Sequence, residues 1–159
     1  MPPNTLRLSA CLSLALLCTL ALVGGRTRAQ DQSQVEAKDD PVFREYKGVQ
    51  IGMTADECRH KLGTPQDKGD TLDFYAVSDT ETVQVNYNAA HQVASIAIIY
   101  IGTDKAPAAK AVLGTDLSPK ADGSMYRLVR YPKAGYWVSY SRTAGESPLV
   151  TIMMQRYKP

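Results

Sequence analysis

Apolar and polar residues alternate most clearly at 83–87, where polar residues separate Val83, Val85 and Tyr87. This period of two is typical of a strand with one buried face. Similar runs, bounded by turn residues, predict five further strands. The six predicted strands are 72–77, 83–87, 92–101, 125–131, 136–141 and 149–155.

The predicted strand 92–101 is unusual because it is apolar on both of its faces. Its alternate positions form the two sets Ala94, Ile96, Ile98 and Val93, Ala97, Ile99. Apolar residues on both sides favour a central strand, or one that is covered on both faces.

Capping residues predict a short helix from Thr54 to Leu62. Thr54 and Glu57 match a capping box, in which each side chain accepts a hydrogen bond from the other residue's backbone amide. Gly63 suits a left-handed helix end, and Pro65 prevents the helix from continuing. Both ends of this helix are therefore predicted from local sequence.

The second half of the chain repeats the order of the first half. Asp104 as a cap and Pro107 in the first turn predict a second helix over 108–113. Leu62-Gly63-Thr64 recurs as Leu113-Gly114-Thr115 at a spacing of 51 residues, and three predicted strands follow each copy. We interpret this as an internal repeat of one helix and a three-stranded meander.

These elements predict an α+β fold in which short helices pack on one face of an antiparallel sheet, with the helix-plus-meander unit repeated twice. The folded domain is expected at 46–159, with repeat one at 46–101 and repeat two at 102–159. Roughly 100 ordered residues suit one shared core better than two independent cores.

The N-terminus carries a 16-residue uncharged run at 8–23. This run is shorter than the about 20 apolar residues that a membrane-spanning helix needs. Small residues at Thr27 and Ala29 suit a cleavage site after Ala29. We therefore predict a signal peptide at 1–29 and export to the periplasm or the medium, with an uncleaved N-terminal membrane anchor as the alternative.

Composition narrows the expected partners. The first 29 residues hold three arginines and no acid, and the remaining 130 hold 15 Lys+Arg and 16 Asp+Glu, a net charge of −1. A balance this close to neutral argues against nucleic acid, which attracts strongly basic proteins. Residues 30–45 are polar and aperiodic, and we predict that they form a flexible linker.

Nucleophilic chemistry has little support in the sequence. Cys58 and His60 point about 200° apart on a helix, so they cannot form a nucleophile–base pair with each other. A pair of Cys58 with His91 stays open, but an unpaired cysteine is usually buried and inert. We therefore predict no catalytic residue.

Metal binding has similarly little support. Asp67, Asp70 and Asp73 recur every three residues, but the Asp-x-Asp-x-Asp-Gly calcium pattern is absent. We interpret these residues as solvated loop acids. We predict no metal site and no cofactor.

The strongest candidate contact residues surround Trp137. Alternation places Trp137 on one face of its strand and Tyr136, Val138 and Tyr140 on the other face. If Val138 points to the core, Trp137 is exposed, whereas the opposite orientation exposes the two tyrosines. Exposed Trp, Tyr and Arg residues are enriched in binding hot spots. The candidate binding residues are Trp137, Tyr136, Tyr140, Arg127 and Tyr131.

Two segments resemble a known family. Ile51-Gly52-Met53-Thr54 before the helix and Leu62-Gly63-Thr64-Pro65 after it resemble the SmpA/OmlA (BamE-like) family over roughly residues 46–100. The duplicated unit is also similar to the tandem arrangement of β-lactamase inhibitory proteins. These resemblances imply a small exported protein that works by contact with other proteins.

Taken together, these observations predict a non-catalytic, exported protein-interaction module of the bacterial cell envelope, related to outer-membrane assembly or maintenance. Its expected partner is an envelope or extracellular protein, and the prediction allows peripheral association with the outer membrane. The alternative is a periplasmic protein that binds a small ligand or lipid on a tyrosine-rich sheet.

Overall fold

A computed structural model describes residues 34–37 and 40–157. The predicted signal peptide, 1–29, lies outside the described residues. Within them the chain forms one eight-stranded sheet in the order β1-β6-β7-β8-β5-β4-β3-β2, with two short helices. The elements are β1 (Gln34–Glu36), α1 (Ala55–Leu62), β2 (Asp67–Lys68), β3 (Leu72–Ser78), β4 (Glu81–Tyr87), β5 (Val93–Ile101), α2 (Ala109–Leu113), β6 (Met125–Tyr131), β7 (Tyr136–Arg142) and β8 (Leu149–Arg156).

The predicted fold class, an α+β fold with a repeated helix-plus-meander unit, is wrong. The structure is a single mixed sheet, in which β5 pairs with β8 and β1 pairs in parallel with β6. Pairing between the last strands of the two meanders merges them into one continuous ladder with one core. The helices have only 8 and 5 residues and do not define repeated layers.

The two helices differ in how well their ends match the prediction. In α1 the capping box is confirmed: the Glu57 backbone amide donates to the Thr54 hydroxyl at 3.3 Å, and the Thr54 amide donates to the Glu57 carboxylate at 2.9 Å. In α2 the predicted cap at Asp104 is wrong. Ala108 occupies the N-cap position without a side-chain hydrogen bond, so this helix is short.

The sheet has one face in the core and one face without a covering layer among the described residues. The first, which we call the covered face, carries Ile96, Ile98, Val138, Ile152 and Met154, all fully buried. The apolar residues of both helices, including Cys58 of α1 and Val112 of α2, belong to the same core cluster. The opposite side, which we call the open face, carries the alternate positions of the same strands, among them Ala97, Ile99, Ser139, Thr151 and Met153.

Part of the predicted linker at 30–45 belongs to the sheet. Residues 34–36 form β1, in which Val35 lies opposite Val129 of β6, and the Ala37 amide donates to the Arg130 carbonyl at 2.9 Å. Further along, Pro41 is buried. No helix in residues 34–37 and 40–157 is long and apolar enough to cross a membrane.

Candidate binding face

The open face carries most of the exposed large apolar side chains among the described residues. Six large hydrophobic residues are exposed among the described residues, and four of them lie on this face: Leu72, Ile101, Tyr126 and Leu149. Strand register places Ile101 directly opposite Leu149, and Tyr126 opposite Ser141. Between these positions, small or polar side chains alternate with the apolar side chains of Leu128, Ile99 and Met153. The small or polar ones include Ser95, Ala97, Ser139, Ser141 and Thr151.

Trp137 lies on the open face, because Val138 is the neighbour that points into the core. Its indole is half-buried in the row between Arg130 of β6 and Gln155 of β8. The orientation that exposes Trp137 is therefore the one that the structure has. Its nearest cross-strand cation is Arg130 rather than Arg127.

The structure does not bring the five predicted binding residues together. Tyr131, Tyr136 and Tyr140 are buried on the covered face, where burial raises the pKa of all three hydroxyls. Arg127 lies opposite Tyr140 on that same face, and its Nε atom is buried without a hydrogen-bond partner among the described residues. Of the five, only Trp137 reaches the open face. Their binding roles stay predictions.

A groove of about 580 Å³ lies at one end of the open face. Asn86, Ser95, Met153, Gln155 and Tyr157 line it together with neighbouring residues. The Asn86 amide donates to the Ser95 hydroxyl at 2.9 Å, which holds both side chains in place. A groove that combines Met153 and Tyr157 with amide side chains can receive a protruding side chain of a partner.

The most densely hydrogen-bonded side chain on the covered face is that of Asp73, for which the sequence predicted no structural role. It is fully buried, so its interpretation as a solvated loop acid is wrong. Its carboxylate accepts hydrogen bonds from Arg59 Nε at 2.8 Å, Arg59 Nη2 at 3.1 Å, Tyr87 Oη at 2.7 Å and the Gly69 amide at 3.2 Å. The available signal was its place inside a predicted strand, two positions from Tyr75.

The charge state of Asp73 follows from these contacts. Burial opposes ionisation of the carboxyl, but the hydrogen bonds from Arg59, Tyr87 and Gly69 outweigh it and lower the pKa of Asp73 below its ordinary value. The carboxylate therefore stays charged at neutral pH and holds α1 against β3 and β4. This arrangement is suited to fixing the helix on the sheet.

Cys58 lies beside the same cluster and is fully buried. Burial raises the pKa of the Cys58 thiol, although the hydroxyls of Tyr87 and Tyr75 act in the opposite direction. A buried thiol with a raised pKa is a poor nucleophile. Among the described residues, no group of three His, Cys, Asp or Glu side chains could hold a metal ion.

Cys58 should therefore resist modification in the folded protein. We expect a disulfide reagent at pH 8 to react with it on the order of 100-fold more slowly in buffer than in denaturing urea, because the thiol must first be exposed by local opening. Cys58→Ser measures any background from Cys11 and Cys18. Equal rates with and without urea would show that Cys58 is accessible.

The resemblance to the SmpA/OmlA family rests on 51–54 and 62–65, which in the structure enter and leave α1. These segments determine where a helix begins and ends, and they supply none of the exposed residues of the open face. The resemblance stays a prediction from the sequence. Comparison of the chain with protein-family models, curated proteins and solved structures found no match.

Proposed function

We propose that this chain is a non-catalytic, exported protein-binding module of the bacterial cell envelope, which contacts its partner through the open face. The observation that carries this proposal is that four of the six exposed large hydrophobic residues among the described residues lie on this one uncovered face, with Ile101 directly opposite Leu149. Exposed apolar residues that share one surface are typical of interaction sites.

The composition of the open face also suits a protein partner. Trp137 and Arg130 lie side by side on neighbouring strands, and both residue types are enriched among hot spots. The small, half-buried side chain of Ser141 allows a partner to approach the sheet closely there. The exported location rests on residues 1–29 and on the family resemblance.

The alternative function, binding of a small ligand or lipid on a tyrosine-rich surface, loses its main support. Six sheet tyrosines are buried on the covered face: Tyr75, Tyr87, Tyr100, Tyr131, Tyr136 and Tyr140. Tyr75 and Tyr140 each reach the wall of a separate groove, but the six side chains are buried and do not form one open tyrosine-rich surface. We therefore favour the protein partner.

Site-specific photocrosslinking tests the proposal. A photoreactive residue at Ser141, on the open face, should crosslink repeatedly to one envelope protein, whereas the same residue at Lys120, in an exposed loop, should not. Trp137→Ala should then weaken binding of that protein by about 30-fold, the loss expected for a hot-spot residue worth 2 kcal/mol.

Val42→Ala is the matched control, because Val42 is exposed but lies outside the sheet. It should leave the affinity unchanged. Circular dichroism should show that Trp137→Ala is folded. Equal crosslinking from Ser141 and Lys120, or an unchanged affinity of folded Trp137→Ala, would refute the open face as the binding surface.

A further inference from the structure

The outer edge of β3 is covered over only part of its length. β2 pairs with Asp73 and Phe74, and the Gln66 amide donates to the Phe74 carbonyl at 2.8 Å. The segment before Gln66 forms no further backbone hydrogen bond with β3 among the described residues. Among the described residues, no strand pairs with the outer side of β3 beyond this point.

The backbone of Ala76 is available at this edge. The Tyr87 amide donates to the Thr71 carbonyl at 2.8 Å, so the odd-numbered residues at the start of β3 exchange hydrogen bonds with β4. Alternation then directs the amide and carbonyl of Phe74 and Ala76 to the outer side. Phe74 uses its carbonyl to bind Gln66, whereas Ala76 is exposed. A free amide and carbonyl on a strand edge are a template for an added strand.

A groove of about 420 Å³ runs along this edge. Lys47, Lys61, Leu62 and Val77 line it, together with residues of β3 and the segment before β2. The Lys61 ammonium reaches the Lys47-Gly48 turn, since its Nζ atom lies 3.2 Å from the position that a Cβ on Gly48 would occupy. The groove is therefore mainly polar, with Leu62 and Val77 in its wall and the side chains of two lysines beside it.

Both ammonium groups lack an ion-pair partner among the described residues. The nearest acid along α1, Glu57, already accepts hydrogen bonds from the Thr54 amide and hydroxyl. Two positive charges at one groove attract a negatively charged group.

Lys47 occupies a backbone position that does not favour lysine. Tyr46 and Val49 exchange two backbone hydrogen bonds of 2.9 and 2.8 Å around a two-residue turn. Both turn residues have positive φ, 48° at Lys47 and 80° at Gly48. Asn-Gly is the preferred sequence for such a turn, so Lys47 adopts a conformation that costs more for lysine than for asparagine. The Lys47 ammonium lies 5.6 Å from the centroid of the Tyr46 ring, at the side of the turn.

We infer that the edge of β3 receives an extended acidic segment of a partner protein, which adds as a strand beside Ala76 with its carboxylates toward Lys47 and Lys61. The inference rests on the proposed function, because it names a second contact of the same binding module. Backbone hydrogen bonds supply the pairing, and the two lysines select acidic side chains.

A capped eight-residue peptide that alternates Glu with Val and Thr tests this site on the purified full chain. It should bind in a salt-sensitive manner and slow hydrogen exchange of the Ala76 amide. The Lys47→Glu/Lys61→Glu double variant should weaken binding at least about tenfold, because it reverses the charge of the groove. The Lys47→Asn/Lys61→Gln double variant should also weaken peptide binding. This variant removes the charges from two exposed positions without introducing repulsion.

Two control peptides, one with Lys in place of Glu and one with proline at its two central positions, should not bind. Equal binding of the Lys peptide, no binding at millimolar peptide, unchanged exchange at Ala76, or dimerisation through this edge would each overturn the inference. Trp137→Ala separates the two proposals. It should leave peptide affinity unchanged even while it lowers affinity for the partner at the open face.

Discussion

The Ile98→Asp variant should lose most of its folded population, whereas the Ile99→Asp variant should stay folded. Ile98 is fully buried on the covered face, and Ile99, one position later on β5, is half-buried on the open face. A carboxylate at position 98 would lie in the core without a partner, at a cost of more than about 4 kcal/mol. At position 99 water can reach it, and we expect a cost of about 1 kcal/mol.

Urea denaturation of both variants measures this difference. Ile98→Val is the control, since removal of one methyl group from the core should cost only about 1 kcal/mol. Ile99→Asp should in addition lower the affinity for the protein that crosslinks to the open face. Similar stabilities of Ile98→Asp and Ile99→Asp would contradict the assignment of Ile98 to the buried face of β5 and of Ile99 to the open face.

Removal of the Asp73 carboxylate should be the second large effect. Asp73→Ala leaves the Arg59 guanidinium and the Tyr87 hydroxyl without their acceptor. We expect a loss of about 3 kcal/mol in the free energy of unfolding, the lower end of the range for breaking a buried ion pair, because the Arg59 side chain is 20% exposed. Asp67→Ala, at an exposed carboxylate of β2, should change stability by less than about 0.5 kcal/mol.

The same contact predicts a pH dependence with a definite sign. The folded-state pKa of Asp73 lies below the ordinary value of about 3.9, so the unfolded chain takes up the proton first as the pH falls. The contribution of Asp73 is therefore complete above the ordinary pKa and is lost as the pH falls through the folded-state pKa. The difference in the free energy of unfolding between the wild type and Asp73→Asn should therefore become smaller as the pH falls from the ordinary pKa to the folded-state pKa. A constant gap down to pH 2 would contradict the assignment.

Local patterns predicted the individual elements well. The six predicted strands correspond to β3–β8, and α1 lies where its capping residues place it. Alternation and capping are interactions between residues a few positions apart, so a single sequence contains them. The pairing of β5 with β8 joins positions far apart in the chain, and no local pattern encodes it.

One irregularity shows the limit of alternation. The register between β4 and β5 shifts by one residue, so that Asn86 lies opposite Ser95 but Tyr87 lies opposite Val93. Ala94 is the extra residue of a bulge, and Val93 points to the covered face together with Ile96 and Ile98. Strict alternation had assigned Val93 to the other face.

The candidate site was predictable only in part. Trp137 and Val138 are both apolar, so the alternation of β7 was compatible with either face pointing inward. The register of β7 between β6 and β8 determines the orientation, and that register is a property of the whole sheet. For the same reason the burial of Asp73 escaped prediction: its partner Arg59 comes from another element, 14 residues earlier.

The central position of β8 has a consequence for how the protein is made. β8 is the last strand among the described residues, yet it lies between β7 and β5, and Ile152 pairs with Ile98 across 54 residues of sequence. Before residues 149–156 have been synthesised, β5 and β7 each present an unpaired edge, which is a hazard for aggregation. Pairing over such long sequence separations also makes folding slow, in the range of milliseconds to seconds for β proteins. The two halves of the sheet can therefore join only after residues 149–156 have been synthesised, and loss of β8 would leave two separate halves, each with an exposed edge.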